Sequence, residues 1–291
     1  MRRPPQPCWV NKHMKPQKMH VHTSIFKFHA RVRNYKAFIC LVALISFTAN
    51  ALAGTLNSEC VIVLHGLGRT EASMEKIEDV LIKNNYQVWN QAYPSREADI
   101  ETLAANHVPL GIRQCEEWNA AGIHFVTHSM GGILVRQYLQ TNEIPGLGKI
   151  VMLAPPNHGS EVIDHLKDAS IFQEIMGPAS QQLSTQKNSK PNSLQPIPGT
   201  IGVIAGSMTS DPWFAWMFPG PNDGKVSVES TQLDEMSDFL VVEHGHTFIM
   251  NQKDVIEQVL FFLKHGKFKA DRPGDRLHRG VPPDSHEEDY R

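Results

Sequence analysis

Residues 123–132 read Ile123-His124-Phe125-Val126-Thr127-His128-Ser129-Met130-Gly131-Gly132. The first six, with Ile123, Phe125 and Val126 apolar, read as a short buried strand. Residues 130–140 change to helical spacing, with Ile133, Leu134 and Tyr138 available for packing. A serine therefore stands on the tight turn between a strand and a helix. Such a turn needs small residues two positions to either side, because the backbone approaches itself there. It strains the serine and exposes its hydroxyl. The helix N-terminus behind it favours negative charge developing at that point. Gly131 meets the size requirement downstream. Thr127 stands where the usual Gly-x-Ser-x-Gly pattern has glycine, which weakens the match. An ordinary helix N-cap by Ser129 is the competing reading.

The chain around this turn alternates strand-like and helix-like segments. Strands are expected at 60–65, 87–92, 123–128, 149–154, 200–206 and 238–244. Helices are expected at 71–84, 99–118 (interrupted near Pro109), 130–140 and 251–264. The fold class is thus α/β, a doubly wound and mostly parallel sheet of about six strands with helices on both faces. Residues 160–198 are long for a connection and rich in Gln, Ser and Pro, so they suit a small lid. Residues 267–291 carry many charges and few apolar side chains and read as a disordered tail. The folded domain then spans 54–266.

A serine nucleophile needs a base and an acid to orient it. His246 follows the last strand in His244-Gly245-His246-Thr247, where Gly245 permits a sharp turn back over the sheet edge. His244 competes but reads as part of the strand. The acid is expected after the preceding strand, and Gly220-Pro221-Asn222-Asp223-Gly224 offers Asp223 among turn residues. Asp211, Asp234 and Asp238 remain alternatives. His65-Gly66-Leu67-Gly68, at the end of the first strand, is a glycine-rich loop able to fold beside the serine.

The order Ser129, Asp223, His246 resembles that of the α/β-hydrolase superfamily. The HGLG loop, the THSMGG turn and Ala154-Pro155-Pro156-Asn157-His158-Gly159-Ser160 are similar to compact bacterial-type lipases and esterases, and to inositol-deacylase-type proteins. This resemblance covers about residues 59–264. It implies an oxyanion hole built from the backbone N–H groups of Leu67 and Met130. It also implies ester hydrolysis through an acyl-enzyme, with no cofactor or metal. Thioester or amide hydrolysis and acyl transfer would use the same parts, and a non-catalytic binding protein on the same fold is the reading from another class. In this topology the first and third strands are neighbours, which brings Cys60 and Cys115 within reach of a disulfide; two buried free thiols are the other outcome.

Composition narrows the partners. The 291-residue chain has a net charge of −2, but residues 1–58 hold nine Lys or Arg and no acid. The remainder holds 19 basic and 30 acidic residues, a net of −11, which argues against nucleic acid. The uncharged run 37–53 ends in Ala51-Leu52-Ala53. Its apolar heart suits the h-region of a secretory signal cleaved near Ala53 and is short for a membrane span; an uncleaved anchor is the alternative. Met14 or Met19 also stands open as the start. A cluster of Trp213, Phe214 and Trp216 before Asp223 suits an acyl-binding groove or brief contact with a membrane surface. It suits a small satellite core equally well. The expected substrate is a small-molecule or lipid ester.

Overall fold

A computed structural model describes residues 58–209, 216–218 and 220–270 of the chain. The expected leader (1–53), Trp213 and Phe214, and residues 271–291 lie outside the described residues. The chain runs β1 (Cys60–Leu64), a 3-10 turn (Glu71–Met74), α1 (Glu75–Lys83), β2 (Gln87–Gln91), α2 (Ile100–Glu117) and β3 (Ile123–His128). It continues through α3 (Met130–Tyr138), β4 (Leu147–Leu153), four short helices α4 (Glu161–Leu166), α5 (Ser170–Met176), α6 (Pro178–Gln181) and α7 (Lys190–Ser193), and β5 (Thr200–Gly206). Strand β6 (Asp238–Val242), a 3-10 segment (His246–Asn251) and α8 (Lys253–His265) complete it.

The six strands form one sheet in the order β2-β1-β3-β4-β5-β6, and every pairing is parallel. Alternation along β1 divides the interior. Ile62 and Leu64 join α2 and α3 on one face, while Val61 and Val63 join α1 and α8 on the other. The chain leaves β1 toward β2, then returns to place β3 on β1's other side. The strand order therefore reverses between β1 and β3, and a crevice opens there at the carboxyl ends of the strands. Both the HGLG loop and Ser129 emerge at that point.

Three expectations change in detail. Helix α2 runs unbroken through Pro109. Leu103, Ala104, Val108, Ile112 and Cys115 are buried along it, and this packing outweighs the hydrogen bond that proline removes. His244 lies beyond β6, where its Nε2 meets Asp254 at 2.8 Å. Residues 267–270, expected to open the tail, are among those described: Phe268 is buried against Phe262, and its N–H donates to Asp238 Oδ2. A single aromatic in a charged segment is enough to anchor it to the core, while its neighbours Lys267 and Lys269 stay exposed.

Residues 160–198 hold four short helices, three of them six residues or fewer or barely longer than a turn. Arg136 on α3 secures this segment from beneath. It is 3% exposed and donates to the carbonyls of Asn157, Pro191 and Leu194. Burial lowers its pKa to about 10.

Cys60 and Cys115 are bonded, joining the start of β1 to the end of α2 with Cα atoms 5.7 Å apart. The bond sits at the end of the sheet opposite the crevice. It closes a loop over a sequence separation of 55, which in a chain-entropy account is worth about 4 kcal/mol. Replacing both cysteines by alanine should lower the unfolding free energy by about 2–4 kcal/mol, measured by urea titration, while leaving the crevice end intact. Alkylation of Cys60 and Cys115 themselves in the unreduced protein would refute the bond.

Candidate active site

Ser129 has φ 53° and ψ −124°, a strained conformation for a residue with a side chain. Its geometry follows from how closely α3 starts against β1. A Cβ added at Gly131 would stand 2.7 Å from the Leu64 carbonyl oxygen and 2.9 Å from that of His65. Only glycine allows that approach. The departure at Thr127 has a local explanation: a Cβ at Gly132 would lie 3.2 Å from Thr127 Oγ1. The second glycine of the turn vacates the space that threonine occupies.

Ser129 Oγ donates to His246 Nε2 at 3.0 Å, and His246 Nδ1 donates to Asp223 Oδ2 at 2.8 Å. The fold thus brings the expected serine, histidine and aspartate within hydrogen-bonding distance of one another. His246 is nearly buried and the Asp223 side chain is fully so. The other carboxylate oxygen accepts the N–H groups of Lys225 and Val226. The backbone ties the two loops as well, since His246 N–H donates to the Asp223 carbonyl. Asp238 instead serves backbone N–H groups at Phe239 and Phe268, and Asp211 lies outside the described residues.

The amides at the crevice are distributed in a consistent way. Ser129 N–H donates to Leu153 O, Arg69 N–H to Gly66 O, and Gly68 N–H to Ser95 Oγ. Among the described residues, no acceptor stands against the N–H of Leu67 or of Met130. These are the two amides expected to meet an oxyanion.

His128 was not singled out in the sequence. Its Nε2–H donates to the His246 carbonyl at 3.0 Å, linking the serine strand to the base-bearing loop. Burial, with His246 nearby, holds its pKa well below the usual histidine value. The ring is therefore neutral. Arg69 adds a second link, donating to the Thr247 carbonyl with its guanidinium over the Phe248 ring. Trp216 is 71% exposed, and its ring meets that of His165 on α4 at 5.0 Å between centroids.

A base held neutral by burial takes up its proton only on unfolding. Above about pH 6.5 its contribution to stability is complete; below, the unfolded chain binds more protons and stability falls with pH. His128→Gln keeps a donor toward the His246 carbonyl but cannot titrate. It should flatten the fall in unfolding free energy between pH 6.5 and 5 by up to about 1.4 kcal/mol per pH unit. Denaturant titrations at several pH values would show this, and equal slopes in both proteins would refute it.

No known family model matches the chain, and no curated protein matches it in sequence. Solved structures do match in shape. A Bacillus licheniformis lipase in its mature form is 17% identical, with a TM-score of 0.55 over 72% of this chain and 93% of that one. A Pyrococcus furiosus esterase is 16% identical, with a TM-score of 0.51 over 72% of this chain and 83% of that one. The narrower likeness to inositol-deacylase-type proteins rests on motifs alone. At these identities the similarity is one of architecture, and with the parallel six-stranded sheet it shows that the chain has the α/β-hydrolase fold.

Proposed function

We propose that this protein is a serine hydrolase of carboxylic esters. The observation that carries the reading is the continuous hydrogen-bonded chain from Ser129 through His246 to Asp223 at the switch-point crevice. Ser129 Oγ attacks the ester carbonyl carbon while His246 Nε2 takes its proton. Asp223 keeps the imidazole in the useful tautomer and stabilises the imidazolium. The Leu67 and Met130 N–H groups receive the charge that develops on the carbonyl oxygen. Collapse of the tetrahedral species breaks the ester C–O bond, and His246 returns the proton to the leaving alcohol. Water then attacks the acyl-serine with His246 again as base, releasing the acid and restoring Ser129. The fold relatives bear the names lipase and esterase, in keeping with this chemistry.

An apolar acyl group is the substrate feature best supported. Phe248 follows the base by two residues and is 59% exposed. Ile171 and Ile175 are exposed on α5, which reaches the HGLG loop near Gly68 through Met176. Trp216 is open to solvent on the loop that leads to Asp223. Apolar side chains around the mouth of a crevice suit a fatty-acyl chain or contact with a lipid surface. For the compartment we infer export. The Cys60–Cys115 bond suits an oxidising environment, as does reading residues 37–53 as a secretory signal.

A fluorophosphonate probe should label wild type at Ser129 and fail on Ser129→Ala. Ser129→Ala and His246→Ala should each lower ester turnover by about 10⁴-fold or more without unfolding the protein. Because the two act as a unit, their losses should not add. Asp223→Asn should also lose about 10⁴-fold, whereas His244→Ala should be mild. Substantial turnover by Ser129→Ala would sink the assignment. On an ester series, Trp216→Ala should cost roughly 1–3 kcal/mol in kcat/KM for long acyl chains and little for acetyl esters. Equal losses at every chain length would remove the case for a lipid substrate.

A further inference from the structure

The mechanism needs the Leu67 N–H to be aimed, yet Leu67 lies on a glycine-rich loop outside any strand or helix. What aims it can be followed atom by atom. In a planar trans peptide the N–H of Leu67 points opposite to the C=O of Gly66, so whatever fixes that carbonyl fixes the donor. The Gly66 carbonyl accepts two hydrogen bonds, from Arg69 N–H at 3.2 Å and from His65 Nδ1 at 2.9 Å.

The His65 ring is in turn held by Tyr93. The two rings stack at 4.1 Å and 8°. Tyr93 N–H donates to His65 Nε2 at 3.4 Å. A ring accepting at Nε2 and facing a carbonyl with Nδ1 is the neutral tautomer with its proton on Nδ1, and burial favours that neutral form. Tyr93 Oη–H donates to the His65 carbonyl. Two residues on, Ser95 Oγ accepts the Gly68 N–H at 3.0 Å. Tyr93 and Ser95 are both buried. One short segment after β2 thus grips residues on both sides of Leu67.

We infer that residues 93–95 are a positioning latch for the oxyanion hole, with Tyr93 acting through His65 and Ser95 acting through Gly68. This rests on the reading of Leu67 N–H as an oxyanion donor. Neither side chain touches the reacting atoms. Their effect belongs to the transition state, where the carbonyl oxygen carries charge, and is small in the ground state. The hydroxyl of Tyr93 can be removed while its ring stack and backbone N–H remain, which makes the phenylalanine variant a clean probe.

The test is steady-state hydrolysis of a short-chain ester by wild type, Tyr93→Phe and Ser95→Ala, each well below its own Tm. Removing an oxyanion donor outright costs roughly 10²–10³ in kcat. Misaiming one should cost about tenfold in each variant. KM and the pH at which activity rises should match wild type, because Ser129, His246 and Asp223 are untouched. Affinity for a trifluoromethyl ketone, whose adduct carries the oxyanion, should fall by the same factor as kcat. The two losses should combine to less than their product, since both act on one loop. Unchanged kcat in both variants would overturn the latch. So would a loss shared equally by kcat and KM, or one unaccompanied by weaker ketone binding. An inert wild type that no fluorophosphonate labels would overturn the reading of the site itself, and the latch with it; an active wild type indistinguishable from Tyr93→Phe and Ser95→Ala would remove the latch alone.

Discussion

The first turn of α3 lies against the carbonyl oxygens at the end of β1, at a distance that only a glycine at 131 permits. That approach forces the backbone at Ser129 into positive φ, which turns the hydroxyl out over the sheet edge. It also lays the loop after β1 beside the serine, where the amides of Leu67 and Met130 have no acceptor among the described residues. Strain of this kind, of order 1–3 kcal/mol, persists only where surrounding packing over-determines the conformation. Here the packing comes from a sheet interior in which every residue of β1 and β3 is buried.

Around that point the loops are tied to one another more than to their own strands. The loop holding Asp223 is joined to the one holding His246 by both a side-chain and a backbone hydrogen bond. The His246 loop is joined to β3 through His128 and to the β1 loop through Arg69. Residues 93–95 close the remaining side. The segment 160–198 is secured separately by Arg136, a buried cation whose hydrogen-bonding partners are carbonyls. A guanidinium is suited to this because its donors fan out in a plane and its charge is weakly hydrated. Loss of Arg136 would leave three carbonyl groups at that segment short of a donor, although Gln182 and Lys190 would still tie it to the start of α2.

Most of this was legible in the sequence, for identifiable reasons. Strands buried on both faces appear as apolar runs, and β5 lies at 200–206, the residues its run marked. Ser129, Asp223 and His246 could be found because each stands at a strand end among turn residues, where chain order alone narrows the choice. Helix α2 was harder. Proline marks a break in isolation, and the packing that overrides it comes chiefly from sequence-distant α3, with β1 and β2. His65, Tyr93, Ser95, His128 and Arg136 carried no signal of their own. Each matters through a hydrogen bond to backbone far away in sequence, and any side chain with a donor or acceptor looks alike until the chain is folded. Of the 15 histidines in the sequence, the described His65, His124, His128 and His246 are buried, a distinction that the residue type does not show.

The bond between Cys60 and Cys115 has a consequence for how the chain folds. Four cysteines can pair in three ways, and two can pair in only one. Cys8 and Cys40 both precede residue 54, so within residues 54–291 Cys60 and Cys115 have only each other to pair with. Along the chain Cys60 comes first, with β2 and most of α2 between the two. The covalent tie therefore encloses only the chain from β1 to α2 and can close by a single oxidation without the strand that leads to Ser129.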